Sequence, residues 1–261
     1  MKVQYCSDLH LEFKENHEFL KRNPIKAEGE IMVLAGDIMP FAIMDRFNDF
    51  LDYLSDSFEA VYWIPGKHEY YYDDIDNRVS AFTEKIRKNV FLINNKQIEC
   101  KGVNFIFSTL WSHISPQNQW RLSQSVSDFM VIKDNGGKLS PDKFNLLHKE
   151  SVAFLRSAIE NNKGGKSIIV THHVPTLMHY PEKYKNSPIN EAFAVELYDL
   201  IENCGADFWI YGHHHINIPV FRIGETQLVT NQLGYVQNNE QAGFRNDKVI
   251  EIQYDKVDFA Q

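Results

Sequence analysis

The sequence predicts an α/β fold with mixed sheets, and three observations carry that prediction. Apolar runs at residues 31–35, 61–64 and 168–170 have the length of buried strands. Between the first two, Ile43, Phe47, Phe50, Leu51, Leu54 and Phe58 recur at helical spacing, so strand and helix alternate. Residues 97–100 and 103–110 flank Lys101-Gly102 in the pattern of a β-hairpin, which adds antiparallel pairing. With no internal repeat, low-complexity tract or Ser/Pro/Gly-rich linker, residues 1–261 read as a single domain.

The elements follow in chain order. Val3 and Tyr5 alternate with Lys2 and Gln4 in a first strand that ends in Ser7-Asp8-Leu9-His10. Residues 14–30 are mostly polar and charged and read as an exposed connection. The all-apolar strand 31–35 empties into Gly36-Asp37, the helix of residues 43–58 packs back on the sheet, and the strand 61–64 breaks at Pro65-Gly66 ahead of Lys67-His68-Glu69. Asp73 or Asp74 is placed to cap a second helix with the buried stripe Ile75, Val79, Phe82 and Ile86. Residues 90–93 form a strand and the hairpin comes next. Residues 111–139 lack a sustained period and suit a lid or substrate wall. Pro141 starts a long amphipathic helix that ends near Gly164-Gly165. The strand 168–170 runs into Thr171-His172-His173, and after a helix marked by Leu197, Leu200 and Ile201 the strand 208–211 runs into Gly212-His213-His214-His215. Residues 218–223, 227–230 and 249–254 are strand-rich, with a turn at Gly224-Glu225.

Composition narrows the function. A net charge of −8 gives no general attraction to nucleic acid or anionic lipid, so nucleic acid is disfavoured as a partner. No apolar run approaches membrane-spanning length, and residues 1–5 lack the regions of a signal peptide, so no membrane and a cytoplasmic location are expected. Three widely spaced cysteines argue against a disulfide framework and a zinc-thiolate site. Oligomeric state leaves no trace in the sequence.

The strand ends carry the chemistry. Loops at one edge of an α/β sheet converge, so Asp8 and His10, Asp37, Lys67-His68-Glu69, His172-His173, His213 and His215 can share one site. His213 and His215 lie on one face of an extended segment and His214 on the other. Imidazoles and carboxylates without thiolates suit Mn, Fe, Zn, Ni or Co. An isolated triple histidine or Asp-x-His is more often a solvated turn; the agreement among five strand ends reverses that balance.

In this order, Asp8-x-His10, Gly36-Asp37, Gly66-x-His68-Glu69, His172 and Gly212-His213-x-His215 resemble the calcineurin-like metallophosphoesterases, and the surrounding segments 7–13, 109–111 and 171–175 resemble a bacterial branch of them. The resemblance implies a four-layer α/β/β/α sandwich of two mixed sheets flanked by helices. It implies one or two divalent ions per chain, Mn or Fe first, and hydrolysis of a phosphomonoester or phosphodiester by a metal-bound hydroxide. Asp8, His10 and His215 would hold one ion, Asp37 would bridge, and His172 and His213 would hold the second; His172 is chosen over His173 because it lies nearer the strand. His68 would act on the leaving oxygen, oriented by Glu69. Lys67 departs from the family pattern, which has Asn there as a ligand. A charged Lys offers no acceptor, so it weakens the second site, replaces the second ion as phosphate anchor, or swings out. The expected partner is a small phosphate ester; the alternative is an impaired member that binds a phosphorylated ligand or a protein. Tyr70, Tyr71, Tyr72, Trp111 and Trp120 are candidate pocket walls, and Arg121 and Arg245 candidate phosphate contacts.

Overall fold

A computed structural model of the protein describes residues 1–162 and 164–253. The strands are β1 (Lys2–Cys6), β2 (Ile31–Ala35), β3 (Ala60–Ile64), β4 (Phe82–Lys85), β5 (Val90–Asn94), β6 (Lys96–Cys100), β7 (Val103–Ser108), β8 (Lys133–Asp134), β9 (Gly137–Lys138), β10 (Ser167–Thr171), β11 (Phe208–Ile210), β12 (Phe221–Ile223), β13 (Thr226–Val229) and β14 (Val249–Glu251). The helices are α1 (Lys14–Arg22), α2 (Asn48–Ser57), α3 (Pro116–Ser125), α4 (Asp128–Val131), α5 (Pro141–Asn161) and α6 (Tyr198–Asn203).

Two six-stranded sheets form, in the orders β14-β1-β2-β3-β5-β4 and β12-β13-β11-β10-β7-β6. Each has a parallel centre and antiparallel edges: β1, β2, β3 and β5 run together, as do β7, β10, β11 and β13. This is the mixed pairing that the hairpin signal implied. Side-chain alternation then sets the layers. Along β2, Ile31, Val33 and Ala35 enter the core between the sheets, where Phe105, Phe107, Ile168, Val170, Phe208 and Ile210 arrive from the other side. Met32 and Leu34 face away, toward Leu51 and Leu54 of α2. On the second sheet Ile106, Ile169 and Trp209 face outward against Leu155 and Ala158 of α5 and Leu200 and Ile201 of α6. Each fully buried aliphatic side chain in these layers contributes roughly 1.5–3 kcal/mol, so a charged residue at Val33 would break the sandwich at its centre.

Three segments differ from the sequence reading. Residues 14–22 form α1 rather than an exposed connection. Its few apolar contacts hide it: the buried stripe is Asn16 and Leu20, and Asn16 Nδ2 donates to Leu9 O at 2.9 Å and Gly234 O at 2.7 Å. The expected helix across Ile75 to Ile86 is one 3₁₀ turn, Ile75–Arg78, capped by Asp74 accepting from Asp76 N, followed by β4 pairing antiparallel with β5. The ladder with Val90–Asn94 overrides the helical spacing. Residues 111–139 are not irregular throughout, since they contain α3, α4 and the β8–β9 hairpin. At the end of the chain, β14 covers part of the expected strand; Tyr254 lies outside the described residues. None of the described helices is long and apolar enough to cross a membrane.

Candidate metal centre

Parallel β1, β2 and β3 in one sheet and β10 and β11 in the other end at the same edge, and the loops there carry Asp8, His10, Asp37, His68, His172, His213 and His215. Continuing hydrogen bonds lock these loops together: Asp8 N donates to Gly36 O at 2.9 Å, His10 N to Asp37 O at 3.0 Å, and Gly212 N to His172 O at 3.1 Å. The segment after β13 stitches one sheet to the other, with Leu233 N donating to Ser7 O at 3.2 Å and Gly234 N to Asp8 O at 3.1 Å.

The backbone here is strained. Asp8, His10, Asp37, His213 and His215 all have positive φ, from 47° to 83°. The left-handed region costs a non-glycine residue roughly 1–2 kcal/mol, so the surrounding bonds hold these side chains where relaxed strands would not. Two glycines permit the approach. A Cβ on Gly66 would lie 2.7 Å from His172 Nε2, and one on Gly212 would lie 2.6 Å from Asp8 Oδ2.

Two ligand-bearing groups result. Asp8, His10 and His215 bring donor atoms within 4.8 Å of one another, and so do Asp8, Asp37, His172 and His213. His10 Nε2 lies 3.1 Å from His215 Nε2, and His172 Nε2 lies 3.1 Å from His213 Nδ1. Asp37 Oδ1 accepts from His68 N at 2.8 Å, which leaves Oδ2 buried without a hydrogen-bond partner among the described residues, 3.3 Å from His172 Nε2 and 4.0 Å from His10 Nε2. That orphaned oxygen faces both groups. His213 turns Nδ1 to this cluster, and its outer nitrogen, Nε2, is buried with no hydrogen-bond partner among the described residues. Buried acceptors aimed at one another, without sulfur among them, fit divalent cations bound through nitrogen and oxygen.

Electrostatics supports the same fit. Burial alone would raise Asp8, but the hydrogen bond and charge of His215 hold it down at about 2. Burial opposes charge on His172 and His215, yet Asp37 carries His172 up to about 9, and Asp8 with Glu240 carries His215 to about 9. Burial and the neighbouring His173 and His172 push His213 well down. Positive charge is wanted at the centre of these carboxylates.

Residues 1–217 match the calcineurin-like phosphoesterase family. The chain belongs to that family. It is accordingly a metal-dependent hydrolase of phosphate esters, with divalent ions as its cofactors. An uncharacterised protein of Acanthamoeba polyphaga mimivirus is 31% identical, with 96% of each chain covered. The crystal structure of the phosphopantetheinyl hydrolase of Mycobacterium tuberculosis is similar at a TM-score of 0.63 and 15% identity, covering 92% of each chain, which shows a shared fold. A dimetal phosphatase of Danio rerio reaches a TM-score of 0.49 at 13% identity over 89% of this chain and 87% of its own.

This phosphoesterase surrounds its centre with carboxylates that the sequence left without a role. Glu12 Oε1 accepts from His68 Nδ1 at 2.8 Å and from His10 Nδ1 at 3.2 Å. Glu240 takes His215 Nδ1 at 2.7 Å. Glu12 alternates with Asp8 and His10 along the chain and was findable by that spacing; Glu240 lies 25 residues beyond His215 and was not. Glu69 does not orient His68. It is fully buried and accepts from Asp37 N, Ile38 N, Trp63 Nε1 and Gly66 N at 2.7–2.9 Å, so it ties the β2 and β3 loops together. Burial and Asp37 push its pKa to about 8, while four N–H donors favour the ionised form.

Of the two neighbouring histidines, His172 joins Asp37 and His213, while His173 Nδ1 faces Thr109 O at 3.4 Å and its ring lies against Trp111. His214 turns aside and accepts from Ile216 N and Gln232 Nε2. Lys67 is 7% exposed; its ammonium lies 3.3 Å from Asp128 Oδ1 and 4.7 Å from the Phe193 ring centroid. Tyr71 OH donates to the same Asp128 oxygen at 2.7 Å. A cavity of about 960 Å³ opens over His68, Lys67, His213 and His215. Tyr71 and Tyr72 line it, whereas Tyr70 and Trp111 are core residues and Trp120 is exposed elsewhere. Of the two arginines singled out, Arg121 borders an adjoining cavity that shares Tyr180, Ser187 and Asn190 with the first, and Arg245 pairs with Asp247.

Proposed function

We propose that this chain hydrolyses a small phosphomonoester or phosphodiester. In this reading Asp8, His10 and His215 would hold one ion, Asp37 would be shared between the two groups, His172 and His213 would serve a second, and His68 would act on the leaving oxygen. The observation that carries it is the unpartnered Asp37 Oδ2 facing both ligand groups beside a carboxylate-held His68. Mn or Fe is the favoured ion on the family resemblance; the nitrogen-and-oxygen donor set suits Zn, Ni or Co as well. The three free cysteines fit a cytoplasmic setting.

Divalent ions, when bound, supply positive charge to the phosphate and acidify a water. The protein does the rest. Because Glu12 accepts at Nδ1 of His68, that nitrogen carries a proton and Nε2 is left toward the cavity, where Tyr235 OH lies 3.3 Å away. The Tyr71 ring stacks on His68 with centroids 4.0 Å apart and fixes its plane. A proton on Nε2 can then pass to the leaving oxygen while Glu12 stabilises the imidazolium.

A second reading rests on Lys67, which stands where the family pattern has a ligand Asn. Its ammonium, drawn to Asp128, supports a weak second site, and hence a protein that binds a phosphorylated ligand or a partner with little turnover. Hydrolysis of p-nitrophenyl phosphate and its bis ester with added Mn²⁺, for this chain and for Lys67→Asn, separates the two. Turnover by the unaltered chain supports the hydrolytic reading. No turnover by either protein with any divalent ion would overturn it.

A further inference from the structure

We infer that the substrate carries a single phosphoryl group on an uncharged, mainly apolar body, aryl or alkyl, that lies in the cavity over His68. This rests on the hydrolytic reading above and adds what the organic part of the ester must be. At about 960 Å³ the cavity is at the upper end of the 300–1,000 Å³ typical of drug-sized ligand sites, far beyond what a phosphate group fills. Its wall is assembled from three separate segments that contribute aliphatic side chains: Ile43, then Val126 and Val131, then Ile189. Tyr72, 70% exposed, lines the cavity without being covered by it. An apolar concavity of this size beside a reactive centre is costly to leave to water and favourable to fill with hydrocarbon.

Charge removes the competing ligands. The lining contains one lysine and no arginine, and that lysine, Lys67, is already paired with Asp128. The two carboxylates of the lining, Glu12 and Glu240, would repel any additional phosphate. A diphosphate, a triphosphate or a nucleic-acid strand therefore meets no cation in this lining, among the described residues, other than Lys67; Arg121 and Lys185 line the adjoining cavity. Two polar side chains of the wall are turned to nearby backbone: Ser125 Oγ donates to Arg121 O at 2.8 Å and Asn190 Nδ2 to Lys185 O at 3.1 Å. A sugar's hydroxyls would lose water there without being matched.

The test is a homologous series of n-alkylphosphonates, methyl to octyl, measured as inhibitors of p-nitrophenyl phosphate hydrolysis by the Mn²⁺-loaded protein and, in parallel, by calorimetric binding. Each added methylene should lower the inhibition and dissociation constants about three- to fourfold until the cavity is full. AMP, ADP and ATP should bind more weakly than octylphosphonate. Ile189→Asp, at a side chain of the apolar wall that is not among the ligand-bearing groups, should weaken octylphosphonate at least about tenfold and weaken orthophosphate far less. Constants that stay flat along the series, or tighter binding of ATP than of octylphosphonate, would overturn the inference. Failure to hydrolyse p-nitrophenyl phosphate would strike the hydrolytic reading alone, because the calorimetric series still decides what the cavity holds.

Discussion

The two halves of the metal centre are backed differently. In the half formed by Asp8, His10 and His215, each imidazole leans on a carboxylate through its outer nitrogen, His10 on Glu12 at 3.2 Å and His215 on Glu240 at 2.7 Å. In the half formed by Asp37, His172 and His213, the outer nitrogen of His172 meets only a neutral carbonyl, Ala35 O at 2.9 Å, and His213 Nε2 has no partner. Lys67 adds a positive charge to that side and no donor pair. Carboxylate backing makes an imidazole a stronger ligand and fixes its orientation, so the first half should hold its ion more tightly. On this reading one shared edge of strands would support unequal sites, and the inequality would come from the residues behind the ligands.

The largest effect is expected where the halves meet. Asp37→Asn removes the oxygen that faces both groups, and several kcal/mol of charge stabilisation with it, so kcat/KM on p-nitrophenyl phosphate should fall on the order of a thousandfold. A loss under tenfold would mean that the halves work independently. Next comes His68→Asn, for which a loss of roughly 10² to 10⁴ is expected on phenyl phosphate, with a smaller loss on the p-nitrophenyl ester, whose leaving group needs less help from an acid. Equal losses on both esters would assign His68 to binding rather than to proton transfer.

Smaller still is the effect of the backing carboxylate. Glu12→Gln should weaken the tighter ion about 10- to 100-fold, read by calorimetric titration. It should also change acid stability. Burial raises the Glu12 pKa, but hydrogen bonds from His10 and His68 outweigh it and hold the carboxyl at about 2. A depressed carboxyl contributes stability in full above its unfolded value near 4.5, a contribution lost as pH falls toward 2. Melting temperatures of the metal-stripped protein between pH 5 and pH 2 should therefore drop less steeply in Glu12→Gln; parallel curves would remove Glu12 from the ledger.

What could be read from the chain follows the same division. Residues at strand ends are legible because an apolar run that stops at Asp or His leaves a polar group at a fixed place in the fold, as at Ala35-Gly36-Asp37. The α/β alternation and the hairpin at Lys101-Gly102 are legible for similar reasons, being local periodicities. α1 escaped notice because its buried stripe is an asparagine and a leucine. β4 escaped because Ile75, Val79, Phe82 and Ile86 fit helical spacing until β5 offers a ladder. Glu240 and Asp128 have no sequence signal at all, since a backing carboxylate needs only to arrive in space. Glu69 was visible as a charge beside His68, but its four backbone and indole donors come from two stretches, 37–38 and 63–66, that meet only in the fold.

The inequality of the halves is tested most directly by calorimetric titration of Mn²⁺ into the chelator-stripped protein, with Lys67→Asn alongside. Unequal backing requires one tight ion and a second at least about tenfold weaker in the unaltered chain. In Lys67→Asn, with an amide oxygen restored and Asp128 still bonded to Tyr71, the second step should tighten toward the first. Two ions of equal affinity in the unaltered chain, with no change in Lys67→Asn, would contradict it.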